Sequence, residues 1–171
     1  MDAQTTWPDD LYQTLKAANI THMSYVPDAG HTRLINLLSA DNSITCNVLT
    51  TEEEGIALAA GAWLGGQRSV LLLQSSGVGN CINMLSLSNI GRFPMLMLVT
   101  MRGEYEEFNP WQVPMGQGTE PALNAVGVRT FRAGTAEELI DLAGSASAMA
   151  FASDQQIAIL ISQQLLGKKK W

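Results

Sequence analysis

Short, nearly continuous apolar runs alternate along this chain with longer stretches in which apolar residues recur every three or four positions. Six runs, at 22–26, 45–49, 69–74, 94–100, 128–132 and 157–161, predict strands. Between them, Leu11, Leu15 and Ala18 share one face of a helix over 9–19, and Leu34, Ile35, Leu37 and Leu38 mark another over 32–40. A third helix starts at Glu52-Glu53-Glu54, continues through Ile56, Ala59, Ala60 and Trp63, and stops at Gly65-Gly66. SSGVGN, residues 75–80, reads as a tight loop leading into a helix that carries Ile82, Leu85 and Ile90. Thr135 and Glu138 make a capping box for a helix bearing Leu139, Leu142, Ala143, Ala146 and Ala150. Residues 102–120, rich in glycine, proline and polar side chains, show no period and read as a long functional loop.

Two of the predicted strands, SVLLLQ and PMLMLVT, are apolar at nearly every position, as strands buried on both faces are. The expectation is therefore an α/β fold: a mostly parallel sheet with helices on both faces. Ligands of such sheets bind beyond the carboxyl ends of the strands, which selects the loops at 27–31, 50–54, 75–80 and 101–118. One domain is expected over 1–171, with its core at about 9–165 and a C-terminal tail from 166.

Charge narrows the partners. The net charge of −6 argues against nucleic acid, which needs a basic stripe. The one basic cluster, Lys168 to Lys170, reads as a solvated tail. Only 15% of residues are charged, a thin coat that favours burial of some surface in an oligomer. Cys46 and Cys81 are too few for a disulfide framework or a thiolate metal site, and read as reduced thiols of a cytoplasmic protein. The acidic, polar start MDAQTTWPDD does not read as a signal peptide, and no apolar run approaches ~20 residues.

Candidate chemistry is sparse. SSGVGN opens a helix after a strand, where backbone N–H groups can meet an anion. It has neither G-x-G-x-x-G spacing nor a Lys-Ser/Thr ending, so the dinucleotide and P-loop readings fail. Glu53 and Glu54 have a structural explanation in the favourable helix dipole. Glu52 stands directly before the helix at a strand's carboxyl end, where this architecture places catalytic groups. His31 suits either a helix start or a binding pocket; His22 reads as structural. Neither belongs to a metal-ligand pattern or a nucleophilic triad.

Several of these residues carry a family resemblance. TTEEEGIALAAGAWLGG resembles the cofactor-activating segment of thiamine-diphosphate enzymes, in which a glutamate opens a helix and a glycine follows nine positions later; here that register runs from Glu52 to Gly61. QSSGVGNCIN is similar to the glycine turn after their next strand. YVPDAGHTRLINLL and MRGEYEE…QVPMGQGTEPALNAVGV resemble the first substrate loop and the region after the fourth strand in decarboxylases of sulfopyruvate and phosphonopyruvate. The likeness runs from about Leu11 to Ile161 and is strongest to the pyrimidine-binding alpha subunits of sulfopyruvate decarboxylase, where the two cofactor domains are separate chains.

The resemblance implies a carboxy-lyase subunit that converts 3-sulfopyruvate to sulfoacetaldehyde and carbon dioxide on thiamine diphosphate. Glu52 would hydrogen-bond the aminopyrimidine ring nitrogen, with Gly77, Gly79 and Asn80 near the cofactor. The Gly-Asp-Gly element by which these enzymes hold Mg2+ and diphosphate is missing here, so a beta subunit is expected to supply it at a shared interface. For the substrate anion, His31, Arg33, Arg102 and Gln112 are the candidates. Arg33 reads equally as a solvated helix residue, and Arg102 equally as the ion-pair partner of Glu104 or Glu106. Trp111 and Phe108 either close over the pocket or pack the loop. Phosphonopyruvate decarboxylase is the near alternative. A transferase subunit and a non-catalytic module of the same fold are the others.

Overall fold

The structure is a computed structural model that describes residues 7–167. Its elements run α1 (Trp7–Ala17), β1 (Ile20–Tyr25), α2 (Thr32–Ser39), β2 (Thr45–Val48), α3 (Glu53–Leu64), β3 (Arg68–Gln74), α4 (Ser75–Cys81), α5 (Leu85–Gly91), β4 (Met95–Thr100), α6 (Val113–Ala125), β5 (Arg129–Ala133), α7 (Ala136–Ser153), β6 (Gln156–Ile161) and α8 (Gln163–Leu166). All six expected strands are present. Every neighbouring pair is parallel, in the order β2-β1-β3-β4-β6-β5.

Alternation along the strands sends side chains to two cores. Val70, Leu72, Leu96, Leu98, Ile157 and Ile159 face α1, α2 and α7, while Leu71, Leu73, Met97, Val99, Ala158 and Leu160 face α3, α4, α5 and α6. The capping box of α7 forms as its sequence predicts: the Thr135 hydroxyl accepts from the backbone N–H of Glu138, and the Glu138 carboxylate accepts from that of Thr135. Leu166 packs on the first core; Lys168 to Lys170 lie outside the described residues. No described helix is long and apolar enough to cross a membrane.

Two expectations need correction. SSGVGN is not a loop before a helix: Gln74 is extended and the chain enters α4 at once, with a break before α5. The stretch 102–120 is only half irregular, because α6 begins at Val113. Pro114 stands in its first turn, where no N–H is required. Pro121 lies inside, and Gly116 and Gly118 weaken it further, so propensity alone hides this helix. Packing restores it. Gly116 is buried so close to strand-end backbone that a Cβ there would stand 1.9 Å from the carbonyl oxygen of Arg102. The Thr119 hydroxyl, also buried, donates to the carbonyl of Ser75 at 3.2 Å.

The strand order places the site. From β1 the chain moves outward to β2 and then crosses back to β3 on the other side, so the carboxyl ends of β1 and β3 flank a reversal of direction. At such a reversal the following loops diverge and leave a crevice.

Candidate active site

Three glutamates open α3, and the fold gives them different tasks. Glu53 accepts from the Thr51 hydroxyl at 2.5 Å, and Glu54 accepts from the backbone N–H of Thr50 at 2.8 Å. Both stay in the local turn, and the Thr51 hydroxyl holds the Glu53 carboxyl below its usual range. Glu52 is the N-terminal cap residue and is 9% exposed. Its carboxyl turns inward across the start of α4. Oε2 accepts from the Asn80 side-chain amide at 2.8 Å. No hydrogen bond from the described residues reaches Oε1, which leaves that oxygen open to a ligand.

Gly77 makes room for this arrangement. A Cβ at that position would lie 2.2 Å from Glu52 Oε1 and 2.3 Å from its carboxyl carbon. Gly77→Ala is therefore expected to push the carboxyl aside while the helix, which favours alanine, survives. Turnover should fall by at least tenfold with little loss of thermal stability, as steady-state kinetics and a melting curve would record. Asn80→Ala, which removes the bond to Oε2, should also lower turnover, because the carboxyl is then free to rotate.

Gly79, expected near the cofactor, packs beside α6: a Cβ there would stand 3.5 Å from the Met115 sulfur. Cys81, one turn past Gly77 in α4, is buried; burial and the nearby Glu52 and Glu53 push its thiol up to about 12, so it stays protonated. Cys46 is half-buried on the edge strand β2.

Next to Glu52 a polar row crosses the strand ends. The Gln74 amide donates to Asp28 Oδ1 at 2.9 Å, and the Thr100 hydroxyl donates to Asp28 Oδ2 at 2.7 Å. Gln74 Oε1 accepts from the Ser76 hydroxyl at 2.8 Å and from the Gln112 amide at 2.9 Å. Gln112 thus belongs to the row, and its own buried carbonyl oxygen is without a partner. Asp28 and Gln74 were missed from sequence. Asp28 lies in the PDAGH turn at the end of β1, and its position, one residue past a proline that ends a strand, was the available signal. His31 is fully buried behind it, Nδ1 3.6 Å from Asp28 Oδ2, and burial pushes its imidazole down to about 4 despite that carboxylate.

Both candidate arginines carry carboxylate partners, and Arg102 lines the cavity over Asp28 and Thr100. Arg33 forms a forked pair with Asp9, both bonds 2.7 Å, on an exposed side of α2. Arg102 does form an ion pair, but with Glu107 rather than Glu104 or Glu106, at 2.9 and 3.0 Å. Glu107 also accepts from the backbone N–H groups of Gly103 and Asn109 and from the Gln163 amide, so it ties residues 102–109 into one unit. This unit, through Tyr105 and Phe108, walls a cavity of about 100 Å³ over Asp28, Gly30 and Thr100. Trp111 is 84% exposed and does not close it. Among the described residues no three His, Cys, Asp or Glu side chains converge as a metal site.

Residues 5–128 match the family described as thiamine pyrophosphate enzyme, N-terminal TPP binding domain. The sulfopyruvate decarboxylase subunit alpha of Methanococcus maripaludis is 34% identical over 152 residues, 88% of this chain and 91% of that one. A phosphonopyruvate decarboxylase of Streptomyces viridochromogenes is 37% identical over 117 residues, 67% of this chain and 30% of its own. The fold superposes on a 2-oxoglutarate:ferredoxin oxidoreductase from Magnetococcus marinus with a TM-score of 0.76, over 94% of this chain and 29% of that one. At 14% identity that likeness is one of fold.

Proposed function

The chain belongs to the thiamine pyrophosphate enzymes, as their N-terminal cofactor-binding domain, and from this we propose that it is the alpha subunit of a sulfopyruvate decarboxylase. It would convert 3-sulfopyruvate to sulfoacetaldehyde and carbon dioxide together with a beta subunit. One observation carries the reading. Of three adjacent glutamates only Glu52 is drawn inward, with one oxygen fixed by Asn80 and the other left for a ligand.

That donor set fits an aminopyrimidine. A buried carboxyl can share a proton at Oε1 with a ring nitrogen, and Asn80 keeps it from rotating away. Gly77 lets the carboxyl lie flat against α4 instead of swinging into solvent. When bound, thiamine diphosphate supplies the electron sink for loss of carbon dioxide. Asp28 and Thr100, the former also bonded to Gln74, line the adjoining cavity.

Neither a Gly-Asp-Gly element nor a cluster of metal ligands lies among the described residues. Mg2+ and the diphosphate are accordingly assigned to the beta subunit, with the cofactor between the chains. The relative named subunit alpha, covered along 91% of its length, supports a divided enzyme. The purified chain alone should show no decarboxylation; mixed with its partner, it should turn over sulfopyruvate. Measurable turnover by the single chain would overturn this. The alignment with phosphonopyruvate decarboxylase supports a second reading, which side-by-side turnover of the two acids separates.

A further inference from the structure

3-Sulfopyruvate differs from pyruvate at one end only, by a tetrahedral sulfonate, and such an anion is met by N–H donors set side by side. Arg102, which follows β4, is built to present them. It is 7% exposed, a burial that arginine seldom reaches unless partners fix it. Nε and Nη2 donate to Glu107 at 2.9 and 3.0 Å, which occupies one edge of the guanidinium and sets its plane. Glu107 is itself held by the backbone N–H groups of Gly103 and Asn109 and by the Gln163 amide, so it aims the arginine from a fixed position. The other edge, Nη1 with the second N–H of Nη2, makes no hydrogen bond among the described residues.

Arg102 lines the cavity of about 100 Å³ together with Gly30, Thr100, Tyr105 and Phe108, a space roomy enough for a sulfonate group. Asp28 shares that cavity, its two oxygens already bonded by the Gln74 amide and the Thr100 hydroxyl. Its charge repels an anion toward the Arg102 side. The position of Arg102 relative to the Glu52 carboxyl is set as well. Its backbone N–H donates to the buried Ser75 hydroxyl at 3.0 Å. Ser75 opens α4, whose Gly77 and Asn80 seat Glu52. Both groups are therefore tied to one short helix.

Resting on the decarboxylase reading, we infer that the open edge of Arg102 receives the tetrahedral anion of the substrate, with Glu107 as its positioning residue. The ion pair is net neutral, so this subsite offers directed N–H donors rather than surplus charge and selects by geometry. A phosphonate presents the same tetrahedral oxygens, and the second reading would use the same edge.

The test uses the assembled complex and compares the KM for sulfopyruvate with the inhibition constant of pyruvate, which lacks the sulfonate. Arg102→Lys keeps a cation for Glu107 but has no second planar edge. The double variant Arg102→Gln/Glu107→Gln removes the buried charges together, in case the lysine variant fails to fold. Each should raise the KM for sulfopyruvate roughly 10- to 100-fold, the worth of hydrogen bonds to a charged group, while the pyruvate constant moves less than about threefold. Equal rises in the two constants would mean that Arg102 only supports its loop, and would overturn the inference. So would an unchanged KM for sulfopyruvate in either variant that still melts cooperatively. The functional reading fails separately, if the wild-type complex decarboxylates neither sulfopyruvate nor phosphonopyruvate.

Discussion

Glu52→Gln in the assembled complex should lower turnover by about 10²- to 10⁴-fold, the usual worth of a positioned proton-transfer group, and leave the fold intact. Glutamine fills the same space over Gly77, and its side-chain oxygen can still accept from Asn80, so neither a cavity nor an orphaned donor is created. What changes is the ability to share a proton at the second position. Glu53→Gln and Glu54→Gln are the internal controls. Their carboxyls serve Thr51 and Thr50 within the turn, so activity should stay within about threefold of the parent while the helix start weakens slightly. Equal losses in all three variants would mean that only the helix start matters and that Glu52 is no activator.

Glu107→Ala should be the most destabilising single change near the site. It removes the counter-ion of Arg102 and the acceptor of three further donors: the N–H groups of Gly103 and Asn109 and the Gln163 amide. Breaking one partner of a buried pair costs roughly 3–5 kcal/mol, and a domain of this size loses ~2–4 °C in Tm per kcal/mol. A fall of about 6–20 °C is expected, and Arg102→Gln/Glu107→Gln should recover part of it. The same carboxyl shapes the acid limb. Its four donors, Arg102 foremost, hold it down to about 2 from an ordinary carboxyl's 4.5. Its stabilisation is therefore complete above about 4.5 and is lost as pH falls toward 2. His31 acts earlier. Buried and neutral, it is depressed from 6.5 to about 4, so the unfolded chain binds a proton that the folded one refuses and stability declines between those values. Melting curves should thus lose stability in two stages below pH 6.5, and Glu107→Gln should weaken the lower stage while leaving the upper one in place.

The periods of the apolar residues were enough to place all six strands, because SVLLLQ and PMLMLVT admit no amphipathic helix and the intervening stretches do. They also placed Glu52 at a strand end before a helix. Neither of the two misread segments had a usable local signal. In α6 the sequence holds two prolines and two glycines, and the helix exists because Gly116 fits against Arg102 and Thr119 bonds Ser75, contacts between segments far apart in the chain. The side chains of the site depend on tertiary position in the same way. Arg33 and Arg102 were chemically apt for an anion, but whether a guanidinium is open or closed by a carboxylate depends on Asp9 and Glu107 folding beside it. Asp28 was overlooked for the reverse reason: its bonds to Gln74 and Thr100 come from strands distant in sequence.

A structure of the two chains assembled with thiamine diphosphate would be decisive. The Glu52 carboxyl should lie within hydrogen-bond distance of the aminopyrimidine ring nitrogen, with Asn80 still on its other oxygen and the diphosphate gripped by the second chain. A cofactor bound elsewhere, or a Glu52 side chain facing solvent away from any subunit contact, would contradict it.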